Sequence, residues 1–224
     1  MRRLVEYPDR ELMLLDVANQ LAGELADCLR RQKTACFCVP GGSTPGPVFD
    51  VLSEQALDWN RVSVILNDER WVPESHPRSN TRLLRERLLV SRAAVACLVP
   101  LCHPAATPEG GIDSLIAGVR EHLPISVLLL GMGADMHTAS LFPGADRLAE
   151  ALAPDAPILM PMRAASAGEP RITLTAPVLN AAMSRHIILT GREKRDALDR
   201  AAHLDPMQAP IRAVWSDAVV HWAE

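Results

Sequence analysis

The sequence predicts an α/β fold: an open, mainly parallel sheet with helices on both faces and a small extra lobe or flap. Three observations carry this. Short apolar runs alternate with amphipathic helical stretches along the chain. The apolar runs stop at glycine-bearing or charged turns. One stretch rich in proline and glycine, residues 154–170, breaks the alternation and reads as a flap or lobe connection rather than a core element. At 224 residues the chain can bury a substantial core, and residues 1–224 are read as one unit.

The elements follow in order. Residues 2–7 form a short candidate strand. Residues 10–32 form a helix in which Leu12, Leu15, Ala18, Leu21, Leu25 and Leu29 are taken as one buried face. The compact run 34–39 stops at Pro40-Gly41-Gly42, and a helix resumes at Thr44 or Pro45 as far as Leu52, with proline tolerated in its first turn. A second unit joins strand 62–66 through a long polar loop, 67–80, to a helix ending near Leu89. A third joins a helix at 112–122 to strand 125–130, which ends at Gly131-Met132-Gly133. A fourth strand, 185–190, ends at Gly191 before a helix at 192–202. In open α/β sheets ligands sit beyond the carboxyl ends of the strands, so these loops are expected to converge on one crevice.

Composition narrows the function. The chain is 48% hydrophobic and 22% charged, as in a soluble globular protein. Its net charge of -4, from 23 basic and 27 acidic residues, offers no broad cationic surface for nucleic acid. Cys28, Cys36, Cys38, Cys97 and Cys102 are odd in number and contain no C-x-x-C pair, so they read as reduced core thiols. Met1-Arg2-Arg3 leads into Glu6, Asp9, Arg10 and Glu11 rather than an apolar segment, unlike a secretory signal. The longest apolar run, near 125–134, is far short of the roughly 20 residues that span a bilayer. A cytoplasmic protein without membrane contact is expected. No histidine spacing such as H-E-x-x-H suggests a metal site.

Four places carry candidate chemistry. Gly41-Gly42-Ser43-Thr44, between a buried strand and a helix start, supplies N–H groups that an anion can approach; the same residues also suit a plain turn with Ser43 or Thr44 as helix cap. With Pro45 they approach G-x-S-x-G, and the order Ser43, Asp68 or Asp135, His137 suits a serine triad, although Pro45 replaces the last glycine. Asn67-Asp68-Glu69-Arg70 follows a strand directly, so its carboxylates and guanidinium are expected to project into the crevice; a solvated loop of internal ion pairs is the alternative. Ser79-Asn80 reads as the cap of the next helix. Asp135 and His137 sit where the next helix is expected to begin, and a carboxylate can orient an imidazole that moves protons. Lys194, in the first turn after Gly191, can neutralise a phosphate or be a surface lysine, and Arg171 is a weaker candidate of the same kind.

Taken together, residues 39–45, 67–70 with Ser79-Asn80, 131–143, 171–175 and 191–194 resemble, in order and over nearly the whole chain, the 6-phosphogluconolactonases. Asp135-Met136-His137-Thr138-Ala139-Ser140-Leu141-Phe142-Pro143 is the most specific piece. The resemblance implies a Rossmann-like, three-layer α/β fold and no metal or organic cofactor. It implies hydrolysis of 6-phospho-D-glucono-1,5-lactone to 6-phospho-D-gluconate in the oxidative pentose phosphate pathway. A small phosphorylated sugar lactone is then the expected partner, with the protein a monomer or weak homo-oligomer. By this similarity His137 is the acid/base, acting with Asp135 and Arg70. Gly41, Gly42, Ser43, Thr44, Asp68, Arg171 and Lys194 surround the substrate and its phosphate.

The related glucosamine-6-phosphate deaminases share the fold and an Asp-Gly-His, but continue as Phe-Asn-Glu-Pro; the continuation Ser140-Leu141-Phe142-Pro143 favours the lactonases. One departure stands out. The family has glycine where this chain has Met136. A methionine at positive φ costs about 1–2 kcal/mol, which raises the rival of a sugar-phosphate-binding module whose inherited site is disabled.

Overall fold

The computed structural model describes residues 3–224. Met1 and Arg2, the latter expected to open the first strand, lie outside them. The elements run β1 (Arg3–Glu6), α1 (Arg10–Arg31), β2 (Ala35–Val39), α2 (Gly46–Ser53), β3 (Val62–Leu66), β4 (Asp68–Arg70), α3 (Asn80–Arg87), β5 (Cys97–Val99), α4 (Ile112–Arg120), β6 (Val127–Gly131), α5 (Leu148–Leu152), β7 (Leu159–Met162), β8 (Arg171–Leu174), α6 (Ala176–Asn180), β9 (Ser184–Thr190), α7 (Arg192–Ala201) and β10 (Val219–Ala223).

Seven strands form one sheet in the order β1-β10-β9-β6-β2-β3-β5, and every pairing in it is parallel. All residues of β2 and β3 are buried, which requires cover on both faces of the sheet. From β2 the chain steps outward through β3 to β5, then returns to the other side of β2 with β6, β9 and β10. The direction therefore reverses between β2 and β6, and the crevice beyond their carboxyl ends is the expected ligand position.

A second sheet, antiparallel in the order β4-β8-β7, forms the extra lobe. Asn67 joins the two sheets: its N–H donates to Val39 O (2.9 Å), and its own carbonyl accepts from Leu174 N (2.8 Å). Two expectations are corrected here. Part of the 67–80 loop is strand β4, and the 154–170 segment contains β7, whose four residues are all buried. Both pair with β8, which lies about a hundred residues from β4 but follows β7 directly.

The apolar face of α1 is also corrected. Leu12 and Leu15 are each 47% exposed, whereas Met13, Val17, Leu21, Leu25 and Leu29 are buried. A step of three residues falls about 60° short of a whole turn, so Leu12-Leu15-Ala18-Leu21 winds around the helix instead of lining one side. Of the cysteines, all free, Cys28, Cys36 and Cys38 are buried, but Cys97 is exposed and Cys102 half-buried, so the core reading holds for three.

Beneath α1 a polar row crosses from β1 to β9. Tyr7 Oη donates to Asp16 Oδ2 (2.6 Å) and lies 2.9 Å from His221 Nδ1. His221 Nε2 lies 2.9 Å from His186 Nδ1, and His186 Nε2 lies 2.9 Å from Glu24 Oε2. No helix among the described residues is long and apolar enough to cross a membrane.

Candidate active site

The loops that leave β2, β3, β6 and β9 meet around a cleft of about 230 Å³. Residues 41–44, Asp68, Arg70, His137, Arg171 and Lys194 all line it, so the structure brings these sequence-predicted residues together; Asp135 stands behind His137.

The glycine loop is shaped by two requirements. Gly42 has φ +91°, a region glycine enters without penalty. A Cβ on Gly41 would overlap the Asn80 side chain, which reaches across to donate from Nδ2 to Asp68 O (2.9 Å). Neither Ser43 nor Thr44 caps α2: its N-cap is Pro45, with no side-chain hydrogen bond. The capping alternative is thereby corrected. Both hydroxyls are left beside the first turn of α2, whose positive dipole end attracts anions.

Successive side chains of a strand point to opposite faces, so Asp68 and Arg70 share one side of β4 and Glu69 takes the other. Glu69 is therefore turned away from the cleft, against expectation. Its carboxylate accepts from Asn80 N (2.8 Å), Thr81 N (2.7 Å) and Thr81 Oγ1 (2.7 Å), closing the N-terminus of α3, while Ser79 Oγ accepts from Arg82 N as the N-cap. On the cleft side Arg70 is the direct cross-strand partner of Arg171. Asp68 Oδ2 lies 3.5 Å from Arg171 Nη1 and accepts from Ser140 Oγ (2.6 Å). Burial lowers the Arg171 pKa, and the Asp68 charge works against that. The Nε atoms of Arg70 and Arg171 are buried without a partner among the described residues. Like charges directly opposite one another repel, so the pair favours a bound anion.

The segment after β6 does not begin a helix as expected; it runs as turns to Arg147, and α5 starts at Leu148. Gly133 N donates to His137 O (3.0 Å) and Met136 N to Gly133 O (3.0 Å). Met136 has φ +66°, so the left-handed turn is kept although glycine is absent. Its side chain is buried, and its carbonyl accepts from Ile211 N (3.1 Å). A Cβ on Gly133 would collide with His137 Nδ1 and Asp135 Oδ1, which explains the glycine there.

His137 Nδ1 lies 2.5 Å from Asp135 Oδ1. Burial alone would raise the Asp135 pKa, but the hydrogen bond and charge of His137 outweigh it and the net shift is downward. Asp135 is then a carboxylate, so Nδ1 carries the proton and donates it. In the neutral ring the lone pair falls on Nε2, which has no hydrogen-bond partner among the described residues, in a side chain that lines the cleft. Ser43 makes no hydrogen bond to His137, and Asp68 serves Ser140 and Arg171, so the serine-triad order has no counterpart in space. Lys194 is half-buried at the start of α7; burial lowers its pKa, while Glu193 and Asp135 oppose the shift.

Residue-by-residue reasoning missed Ser140, Thr173 and Phe142. Ser140 N donates to Thr173 Oγ1 (3.2 Å) and the Phe142 ring stacks on His137 at 4.2 Å. The signal lies in the Ser140-Leu141-Phe142 segment, whose sequence marks the family resemblance without showing what each side chain touches. Among the described residues no group of three or more His, Cys, Asp or Glu side chains is placed to hold a metal ion.

Comparison with known proteins points the same way. The family described as "Glucosamine-6-phosphate isomerases/6-phosphogluconolactonase" matches residues 8–222. A 6-phosphogluconolactonase of Mesorhizobium japonicum is 43% identical, over 97% of this chain and 93% of the relative. One from Pseudomonas aeruginosa is 40% identical, over 92% and 88%. The crystal structure of a 6-phosphogluconolactonase from Shewanella baltica is similar with a TM-score of 0.97 at 31% identity, covering 100% of this chain and 98% of that one.

Proposed function

We propose, for a chain that belongs to the glucosamine-6-phosphate isomerase/6-phosphogluconolactonase family, that its cleft opens a phosphorylated sugar lactone by direct attack of water. The chain is an enzyme of lactone hydrolysis. It converts 6-phospho-D-glucono-1,5-lactone to 6-phospho-D-gluconate, a step of the oxidative pentose phosphate pathway. The observation that carries the mechanism is the His137 imidazole, held through Nδ1 by Asp135 and lining one cleft with Arg70, Arg171 and Lys194.

In this reading Nε2 takes a proton from water as the water oxygen bonds the lactone carbonyl carbon, and the carbonyl π electrons move onto oxygen. Arg70 and neighbouring backbone donors stabilise that oxyanion. Collapse breaks the bond to the ring oxygen, which receives the proton from Nε2, and the imidazole returns to its neutral form. Asp135 holds the ring and balances the transient imidazolium. Ser43, Thr44, Lys194 and Arg171 anchor the phosphate beside the glycine turn, which fixes the carbonyl against His137. Asp68 orients Arg171. No acyl-enzyme forms. In the same reading residues 1–224 work as one catalytic unit in the cytoplasm, as a monomer or weak homo-oligomer.

The test is acid release from freshly made phosphorylated lactone, measured against its spontaneous opening. The wild type accelerates it, and His137→Ala lowers kcat by about 10²–10⁴ with little change in KM. Full turnover by His137→Ala refutes the mechanism. Binding of 6-phosphogluconate without any turnover by the wild type makes the chain a binding module instead.

A further inference from the structure

The proposed reaction sets an electrostatic problem: His137 must become a cation in a cleft that already holds Arg70, Arg171 and Lys194. Each of these penalises imidazolium. Asp135, at Nδ1, is the carboxylate that faces the ring. A second group touches it. The Phe142 ring lies 4.2 Å from the imidazole, centroid to centroid, at an interplanar angle of 29°. The same phenyl ring carries the Arg171 guanidinium, whose Cζ is 5.6 Å from its centroid.

Phe142 is 5% exposed and does not line the cleft, so it acts through its neighbours rather than on substrate. Its position is fixed by a short turn. Leu141 N donates to Thr138 O (3.0 Å), Ala145 N donates to Phe142 O (3.1 Å), and Ser140 is pinned to Asp68 (2.6 Å). Arg171 is held by Asp68 (3.5 Å) and by Ala167 O, which accepts from Nη2 (3.1 Å). The phenyl ring therefore contacts two groups that are themselves held in place.

An aromatic face is electron-rich and attracts a cation within about 6 Å. It favours protonated over neutral imidazole. We infer that Phe142 is a positioning residue for the reaction: it fixes the His137 ring against Asp135 and stabilises the imidazolium formed when water is deprotonated, while occupying Arg171 with a neutral surface. This rests on the proposed role of His137. An aliphatic side chain of similar bulk would fill the space without supplying the charged-state preference.

The experiment compares wild type, Phe142→Leu and Phe142→Tyr by kcat, KM and the pH profile of kcat/KM, with His137→Ala alongside. Removing the ring is expected to lower kcat between about twofold and thirtyfold. KM is expected to stay within about twofold. The acid limb of kcat/KM should move to lower pH, because imidazolium has lost a stabilising contact. Phe142→Tyr, which keeps the π face, should restore both. An unmoved acid limb, an unchanged kcat, or a loss expressed in KM overturns the inference. If Phe142→Leu fails to fold, Phe142→Met asks the same question with an unbranched chain. His137→Ala separates the layers: if it keeps turnover the underlying mechanism fails, and if it loses turnover while Phe142→Leu keeps the wild-type profile, only this inference fails.

Discussion

Arg70 and Arg171 face each other as direct cross-strand partners of β4 and β8, with the Asp68 carboxylate beside Arg171. Two guanidiniums in that register repel until an anion arrives. Arg70→Gln should therefore leave the Tm of the free protein nearly unchanged. It should raise KM for the phosphorylated lactone, or lower kcat if Arg70 meets the oxyanion, by about 10- to 100-fold, the worth of charge-assisted hydrogen bonds. Inorganic phosphate should raise the wild-type Tm and do so less in the variant. Equal stabilisation of both would remove Arg70 from anion binding.

Asp135→Asn keeps an oxygen for Nδ1–H but removes the charge that balances imidazolium. We expect kcat to fall by roughly 10²-fold while KM holds. The asparagine amide can also rotate and present its NH₂, which would move the ring proton to Nε2. Nitrogen NMR of the His137 ring reads that tautomer directly, and an unaltered spectrum with unaltered kcat would contradict the assignment.

Met136 combines a strained backbone with a buried side chain. The left-handed conformation costs about 1–2 kcal/mol, whereas burying the side chain is worth about 1.5–3 kcal/mol, so burial wins. Met136→Gly should lower Tm slightly and retain turnover. Met136→Ala forfeits the burial and keeps the strain, so it should be the less stable of the two. A more stable alanine variant would show that the turn is not under strain.

The polar row beneath α1 makes stability depend on pH. Burial first, then His186, holds His221 down to about 4 from the ordinary 6.5; Arg3 adds to the shift, while Asp16 and Glu24 oppose it. Below pH 6.5 the unfolded chain binds a proton that the folded chain refuses until about pH 4. Stability from this group is therefore complete above 6.5 and is lost as pH falls through that interval, by at most about 3 kcal/mol. Glu24 acts in the same direction at lower pH: burial would raise its pKa, but its bonds to His186 and Ser184 hold it below the usual value. Wild-type Tm should drop by several degrees between pH 7 and pH 4, and His221→Gln should flatten that slope. An identical slope in the variant would falsify the assignment to His221.

The sheet was legible where its strands are apolar runs bounded by turn residues, as in β2, β3, β6 and β9. It was illegible where a strand has three residues, as β5 does, or carries His221 in mid-run, as β10 does. β7 contains Pro161, an ordinary reason to reject a strand; the lobe tolerates it because β7 is an edge strand. The site residues were legible as types at strand ends, but the direction of Glu69 was not. It depends on 68–70 being a strand, and that depends on pairing with residues 171–173, about a hundred positions away in sequence.

The cleft straddles the seam between β2 and β6, so each bank belongs to a different arm of the chain's path through the sheet. Neither arm holds a working half-site: one carries the glycine turn and Arg70, the other the imidazole and the lysine. Turnover should accordingly reappear late and all at once during refolding, after circular dichroism has already recovered, because the final long-range zipping is what brings base and anchor within reach.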